Sequence, residues 1–284
     1  MTMRMSWVQG AGAEGRLGPL WARSVQPADD APPRTIVLLH GIASAHAQFD
    51  ARWDPLCAHG TVVIPDLLGF GRSLDRRRRT YTLADHLDAI DGLLDALGRP
   101  NDGLVFAGHS LGGALALCIA ARHASRTEGV LTWGAPLHAD EGSARRHIRR
   151  MGRLNALVGL DTRLAEATCR MVCTRPRIAR PIYRRVRPAL PIEVLDGALE
   201  HSWWSYRGAM RSIILDTPWL DAMDELRSAR VPVQLCAGTR DASVDHDLMR
   251  RIAESSPSIR YAAMQDKDHD VPIAEPARCA AQLA

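Results

Sequence analysis

A chain of 284 residues with 46% hydrophobic and 24% charged residues has the composition of a soluble globular protein, long enough for one large α/β core plus an insertion. The net charge is +4 and the base is almost all arginine, Lys267 being the single lysine, with no recognisable nucleic-acid-binding module beside it. No uncharged stretch reaches transmembrane length and the first ten residues lack the apolar centre of a signal peptide, so a cytoplasmic chain without stable membrane insertion and without nucleic-acid partners is expected.

Residues 1 to 34 predict two short strands, around Ser6 to Gln9 and Leu20 to Val25, joined by a glycine-rich turn as an antiparallel entry to a sheet. Thr35 to Leu39 is a continuous apolar run, as a strand buried on both faces requires, and it ends in His40-Gly41. In open α/β sheets ligands bind at that carboxyl end, so backbone N–H groups just beyond Gly41, Ile42 foremost, can face a site; a structural turn explains His40-Gly41 equally well. Val62 to Pro65 is the next strand, and the following loop, Asp66 to Ser73 with two glycines, reads as structural. Arg76 to Arg79 reads as solvated. Thr82 to Asp85 resembles a capping box, after which Leu83, Leu87, Ile90, Leu94 and Leu97 recur at helical spacing until Gly98.

Leu104 to Ala107 predicts a short buried strand, and Leu111 to Ala124 a helix apolar on nearly every face. Between them stands Gly108-His109-Ser110-Leu111-Gly112, the G-x-S-x-G pattern in which a strand stops, the chain turns sharply at a serine and a helix begins. Identities alone are weak evidence; strand, turn and helix in that order give them weight. Val130 to Gly134 is another strand.

After Ala135-Pro136 the alternation stops. From Leu137 to about Asp216 the chain is arginine-rich and broken by Pro176, Pro181, Pro188 and Pro191, which predicts an inserted helical cap (137–216) dividing the core into 1–136 and 217–284. The cap holds 15 arginines against eight acidic residues, either solvated faces of short helices or an attraction for an anionic substrate or membrane surface. Trp203 and Trp204 read as packing on the core or as an apolar pocket wall. Cys169 and Cys173 share one helix face, but no other His or Cys lies close in sequence to complete a metal site, so two packed small hydrophobes and no bound metal are expected. The six cysteines form no CxxC pair and are expected to be reduced.

Alternation resumes with a helix around Leu220 to Arg227, a strand from Val233 to Ala237 ending in Gly238, a helix near His246 to Glu254, a strand from Ile259 to Met264 and a final helix from about Ala274. Asp241 lies three residues beyond Gly238, and His269 lies in the acidic loop after the last strand.

Ser110, Asp241 and His269 therefore fall on loops at one sheet edge in the order serine, acid, histidine. With His40-Gly41, the Asp66 to Ser73 loop and Gly238 to Asp241, they give the chain, over nearly its full length, a resemblance to the serine hydrolases of the α/β-hydrolase superfamily: a mostly parallel central sheet flanked by helices, with an inserted cap. The resemblance implies Ser110 as nucleophile, His269 as general base and acid, Asp241 as its orienting partner, and the backbone N–H groups of Ile42 and Leu111 as oxyanion hole. Asp245, Asp224 and Asp140 are the other candidate acids, and Asp266, Asp268 and Asp270 around His269 are solvated or raise its pKa. A serine at the elbow argues against dehalogenase or epoxide hydrolase chemistry, which in this fold uses an aspartate there. The expected activity is cofactor-free cleavage of a carboxylic ester of a small apolar substrate. Carbon-carbon bond hydrolysis of ring-cleavage products, acyl transfer or perhydrolysis, and ligand binding by a degenerate hydrolase are the alternatives. The expected partner is a small-molecule substrate, with the oligomeric state left open.

Overall fold

The structure, a computed structural model, describes residues 12–27, 29–150 and 162–283. Eight strands form one sheet in the order β1-β2-β4-β3-β5-β6-β7-β8: β1 (Ala13–Leu17), β2 (Leu20–Val25), β3 (Arg34–Leu39), β4 (Thr61–Pro65), β5 (Gly103–His109), β6 (Thr127–Trp133), β7 (Val233–Gly238) and β8 (Ile259–Met264). β2 pairs antiparallel with β1 and β4; from β4 to β8 every neighbour is parallel. This is the α/β-hydrolase fold that the order of motifs implies.

The runs buried on both faces in sequence are buried on both faces here. Along β3, Ile36 and Leu38 join one core with Phe49, Trp53 and Trp133, whereas Val37 and Leu39 face the other core with Phe106, Leu115 and Leu117, the period-two alternation of a strand. The Trp53 ring meets Phe49 and Trp133 edge-on at 5.0 and 5.3 Å between centroids.

The helices follow their local signals. In α1 (Leu83–Leu97) Thr82 and Asp85 cap each other reciprocally, and Gly98 at φ 67° ends the helix in the left-handed conformation. α2 (Leu111–Arg122) has ten consecutive buried residues from Leu111 to Ala120, because it lies between the sheet and a later helix, Trp219–Ser228. Each buried leucine there contributes about 1.5–3 kcal/mol by leaving water. Between β6 and that later helix the described residues form α3 (Glu141–Arg150), α4 (Arg163–Thr174), α5 (Pro176–Val186), α6 (Ile192–Leu199), α7 (Trp203–Ala209) and a π-helical turn (Met210–Leu215). The helix Trp219–Ser228 is α8, and α9 (His246–Glu254) links β7 to β8.

Two elements differ from the sequence reading. The strand expected around residues 6–9 lies outside the described residues, and the partner of β2 is β1, inside the stretch that reads as a glycine-rich turn. The turn is only Gly18-Pro19: Gly18 takes φ 55°, and a Cβ there would sit 2.2 Å from the carbonyl oxygen of Gly92. The final helix is split into Val271–Ala274 and Pro276–Ala280, since Pro276 has no N–H with which to continue the first.

The helices between β6 and α8 rest on the loops at the carboxyl edge of the sheet. Phe70 and His201 form an isolated antiparallel bridge, and the N–H of Gly71 donates to the carbonyl of Glu200 at 2.8 Å. Gly197 packs so close to the loop after β3 that a Cβ would lie 2.5 Å from that of Ala45.

Candidate active site

Parallel register carries several loops to one line. Leu39 is level with Gly108, His109 with Trp133, Trp133 with Cys236, and Gly238 with Met264, so the residues that follow these strands share the carboxyl edge. At its centre Ser110 holds φ 54° and ψ −123°, a strained conformation for a side chain other than glycine, costing on the order of 1–3 kcal/mol. The flanking glycines are required by contact: a Cβ at Gly108 would lie 2.1 Å from the carbonyl oxygen of Gly112, and one at Gly112 would lie 2.2 Å from that of Leu39. Leu111 opens α2, where the first N–H groups have no intrahelical acceptor and the helix presents its positive end.

Asp241 and His269 are brought together. Nδ1 of His269 lies 2.7 Å from Oδ2 of Asp241, which leaves Nε2 as the ring nitrogen available for a proton from elsewhere. The other oxygen, Oδ1, accepts the N–H of Ser243 at 2.9 Å and its hydroxyl at 2.6 Å. Burial pushes the Asp241 carboxyl up, but the hydrogen bond and charge of His269 and the two bonds from Ser243 outweigh it, holding the carboxyl below its usual range. Burial likewise pulls His269 down, yet the bond and charge of Asp241, with Asp270, raise it above 6.5. Gly134, at φ 60°, lies against the pair: a Cβ would be 2.8 Å from Oδ2 of Asp241 and 3.0 Å from Nδ1 of His269.

The loop after β3 abuts the serine. A Cβ on Gly41 would sit 3.1 Å from Nδ1 of His109 and 3.4 Å from Cβ of Ser110, which brings the backbone leading into Ile42 beside the elbow. His40 holds that loop from beneath. Its Nδ1–H donates to the Gly41 carbonyl at 2.7 Å, its Nε2 accepts the N–H of Leu67 at 2.9 Å, and burial pushes its pKa down to about 4, so it stays neutral. Asp66, fully buried, accepts from the N–H groups of His46 at 2.7 Å and Arg72 at 2.8 Å and from Nδ1 of His46 at 2.8 Å. This gives the loop 66–73 the structural role read for it, as the support of the loop bearing Ile42.

The chain matches the model of the alpha/beta hydrolase family over residues 36–282. The chain belongs to the α/β-hydrolase family. Among curated relatives, this α/β hydrolase is 23% identical over 264 residues to a probable lysophospholipase, BODYGUARD 4, of Arabidopsis thaliana, covering 84% of this chain and 60% of that one. It is 27% identical over 238 residues to the putative carbamate hydrolase RutD of Caulobacter sp. (strain K31), covering 82% and 81% of the two chains. A thermophilic esterase from Thermogutta terrifontis superposes with a TM-score of 0.64 at 18% identity over 96% of each chain, a likeness of fold. The chain thus spans 60% of the length of the first of these relatives.

The rival acids of this hydrolase have other partners. Asp245 caps α9 by accepting the N–H of Leu248 at 2.9 Å, Asp224 pairs with Arg227 at 2.7 Å, and Asp140 accepts the N–H of Ser143 at 2.6 Å. Of the acids flanking His269, Asp266 pairs with Arg240 at 2.9 Å, and Asp270 pairs with Arg187, the residue after α5. Sequence reasoning passes over Ser243 and His109. The signal for Ser243 is the Asp-x-Ser spacing, in which an aspartate accepts the N–H two residues on. For His109 the chain offers no signal, since its partner is 160 residues away. A cleft of about 870 Å³ lined by Arg34, Glu128, Arg230 and Arg260 opens at the amino ends of the strands and contains none of Ser110, Asp241 and His269. Among the described residues, the metal-capable cluster of His, Cys, Asp or Glu is not here but among the helices between β6 and α8, at Cys169, Cys173 and His201.

Proposed function

We propose that this α/β hydrolase cleaves a carboxylic ester of a small apolar substrate through an acyl-enzyme on Ser110. The observation that carries the reading is the bond between Nδ1 of His269 and Asp241, 2.7 Å long, at the sheet edge that bears the strained Ser110. With Nδ1 engaged, Nε2 takes the hydroxyl proton as Oγ attacks the ester carbonyl. The oxyanion is held by the N–H groups of Leu111 and Ile42, each such donor being worth about 2.7–4 kcal/mol in the transition state. His269 returns the proton to the departing alcohol; water then attacks the acyl-enzyme with the same histidine as base, and the acid leaves. Asp241 stays ionised throughout.

The helices between β6 and α8 serve in this reading as a lid that shapes the acyl pocket. Relatives named as an esterase and as a probable lysophospholipase are consistent with an ester substrate. All six cysteines are free, which supports a cytoplasmic location, and no helix among the described residues is long and apolar enough to cross a membrane.

The test is turnover of short and medium p-nitrophenyl esters, with labelling by a fluorophosphonate probe. Ester turnover abolished in Ser110→Ala, and probe attached to Ser110 and lost in His269→Ala, is the expected result. Absence of turnover on any ester would sink the ester reading, and labelling of Ser110 undiminished in His269→Ala would remove the activated serine.

A further inference from the structure

Apart from Ser110, Asp241 and His269, among the helices between β6 and α8, three donor atoms converge. Cys169 and Cys173 lie four residues apart on α4, on one helix face, and His201 reaches them from the turn between α6 and α7. Their sulfurs are 3.4 Å apart, and Nε2 of His201 is 3.3 Å from the first and 3.2 Å from the second, a nearly equilateral triangle. The tautomer of His201 is fixed from behind. Nδ1 lies 3.0 Å from the carbonyl oxygen of Ala198, which can only accept, so Nδ1 carries the proton and Nε2 turns its lone pair to the sulfurs. A ligating histidine is ordinarily held in this way by the bond its other nitrogen makes. Cys173 and His201 are 3% and 5% exposed, while Cys169 is half-buried.

We propose that Cys169, Cys173 and His201 form a binding site for a thiophilic divalent cation, Zn²⁺, within the inserted helices. Two thiolates and an imidazole are a ligand set that zinc takes, leaving its fourth position to solvent. Zinc bond lengths imply ligand-to-ligand edges of about 3.5–3.8 Å in a tetrahedron, so the triangle need open by only about 0.3–0.4 Å. Binding displaces the two thiol protons to solvent and leaves two thiolates and a neutral imidazole around the dication, a site of zero net charge. The two thiols alone would equally suit a disulfide. The histidine decides for a cation, because a disulfide has no use for a buried imidazole lone pair aimed at both sulfurs.

The position of the site gives the ion a task. It would fasten α4 to the turn at His201, whose backbone bridges Phe70, while the Phe70 ring packs edge-on against His40 at 5.9 Å. The insertion would then be pinned to the loops that support the carboxyl edge. In sequence no third ligand lies near the two cysteines; folding supplies one from a position 28 residues beyond Cys173.

The test is elemental analysis of the full chain purified with reduced thiols and without chelator, followed by exchange with Co²⁺ as spectroscopic probe. About one zinc per chain is expected, and the cobalt form should show sulfur-to-cobalt charge transfer and tetrahedral d–d bands. Cys169→Ser and His201→Ala should bring metal content to background and abolish those bands, while Cys57→Ser, a free thiol elsewhere, should keep both. Should His201→Ala fail to fold, the half-buried Cys169→Ser and the cobalt spectrum of the unaltered chain decide. Reduced protein that takes up neither Zn²⁺ nor Co²⁺, metal content unchanged in Cys169→Ser, or a Cys169–Cys173 disulfide in metal-free protein would each overturn the site.

Discussion

His109 donates its Nε2–H to the backbone carbonyl of His269 over 2.9 Å, and the two rings lie 4.7 Å apart between centroids. A carbonyl only accepts, so the bond fixes the tautomer of His109, and burial together with the nearby His269 lowers its pKa to about 4, keeping it neutral. The variable residue of the G-x-S-x-G turn thus ties the serine elbow to the loop carrying the proposed base. Two loops 160 residues apart in sequence are held in register by one hydrogen bond.

Removing that bond should loosen His269 without touching substrate. His109→Leu is expected to lower kcat about tenfold, roughly 1.4 kcal/mol of activation free energy, with KM little changed. His109→Gln, whose side-chain amide can still donate, should recover most of the loss. Steady-state kinetics on one ester reads both; a rise in KM with kcat intact would reassign His109 to substrate binding.

The Asp241–His269 pair sets the pH dependence. His269 must be neutral to accept a proton, and its pKa is raised above 6.5 because Asp241 outweighs burial, so activity should disappear as pH falls through a value above 6.5. Asp241→Asn removes the charge and, with the amide oxygen held by the Ser243 donors, turns an NH2 instead of an acceptor to His269 Nδ1, so the tautomer is no longer fixed. The acid limb of kcat/KM should then move to lower pH while kcat drops by up to about 10⁴-fold. A limb that stayed in place would mean that another group titrates. Ser243→Ala takes the hydroxyl donor from Asp241 Oδ1 and leaves the backbone N–H in place, so it should give a smaller loss, several-fold, in kcat alone.

Much of this arrangement is legible in the chain, for physical reasons that also mark where legibility stops. β3 and β5 are plain because continuous apolar runs have nowhere to go but a doubly covered sheet, and α1 because Thr82 and Asp85 announce its first turn. The elbow is plain because Gly108 and Gly112 are imposed by backbone contact. β1 is hidden, since alanine and glycine carry little pattern and the positive φ of Gly18 leaves no trace in residue type beyond the glycine itself. His109 and His201 are hidden for another reason. Their partners come from remote segments, and a lone histidine looks the same in sequence whether it holds a backbone carbonyl, faces two thiols or stands in water.

The strain at Ser110 can be measured separately from its chemistry. Both Ser110→Ala and Ser110→Gly remove the hydroxyl, but alanine keeps a Cβ at φ 54° and glycine does not. Ser110→Gly should therefore be the more stable of the two inactive variants by about 1 kcal/mol, read as the difference in urea midpoint at equal m-value. Equal midpoints would mean that the elbow is relaxed.

His86 offers a stability prediction far from the chemistry. It is 1% exposed on α1, neither ring nitrogen has a hydrogen-bond partner among the described residues, and burial pushes its pKa down to about 4. Its folded pKa lies below its unfolded value of about 6.5, so between these two pH values the unfolded chain binds the extra proton and stability falls as pH falls. His86→Met keeps the volume, removes two unpaired polar atoms and removes the titration. At pH 8 the variant should be more stable by about 1–3 kcal/mol, the cost of leaving buried polar groups unsatisfied. At pH 5 the advantage should grow by about 2 kcal/mol, because the proton that favours the unfolded wild type has no site in the variant. Urea unfolding of both proteins at the two pH values measures the difference of differences; an advantage independent of pH would show that His86 is protonated, or partnered, in the folded state.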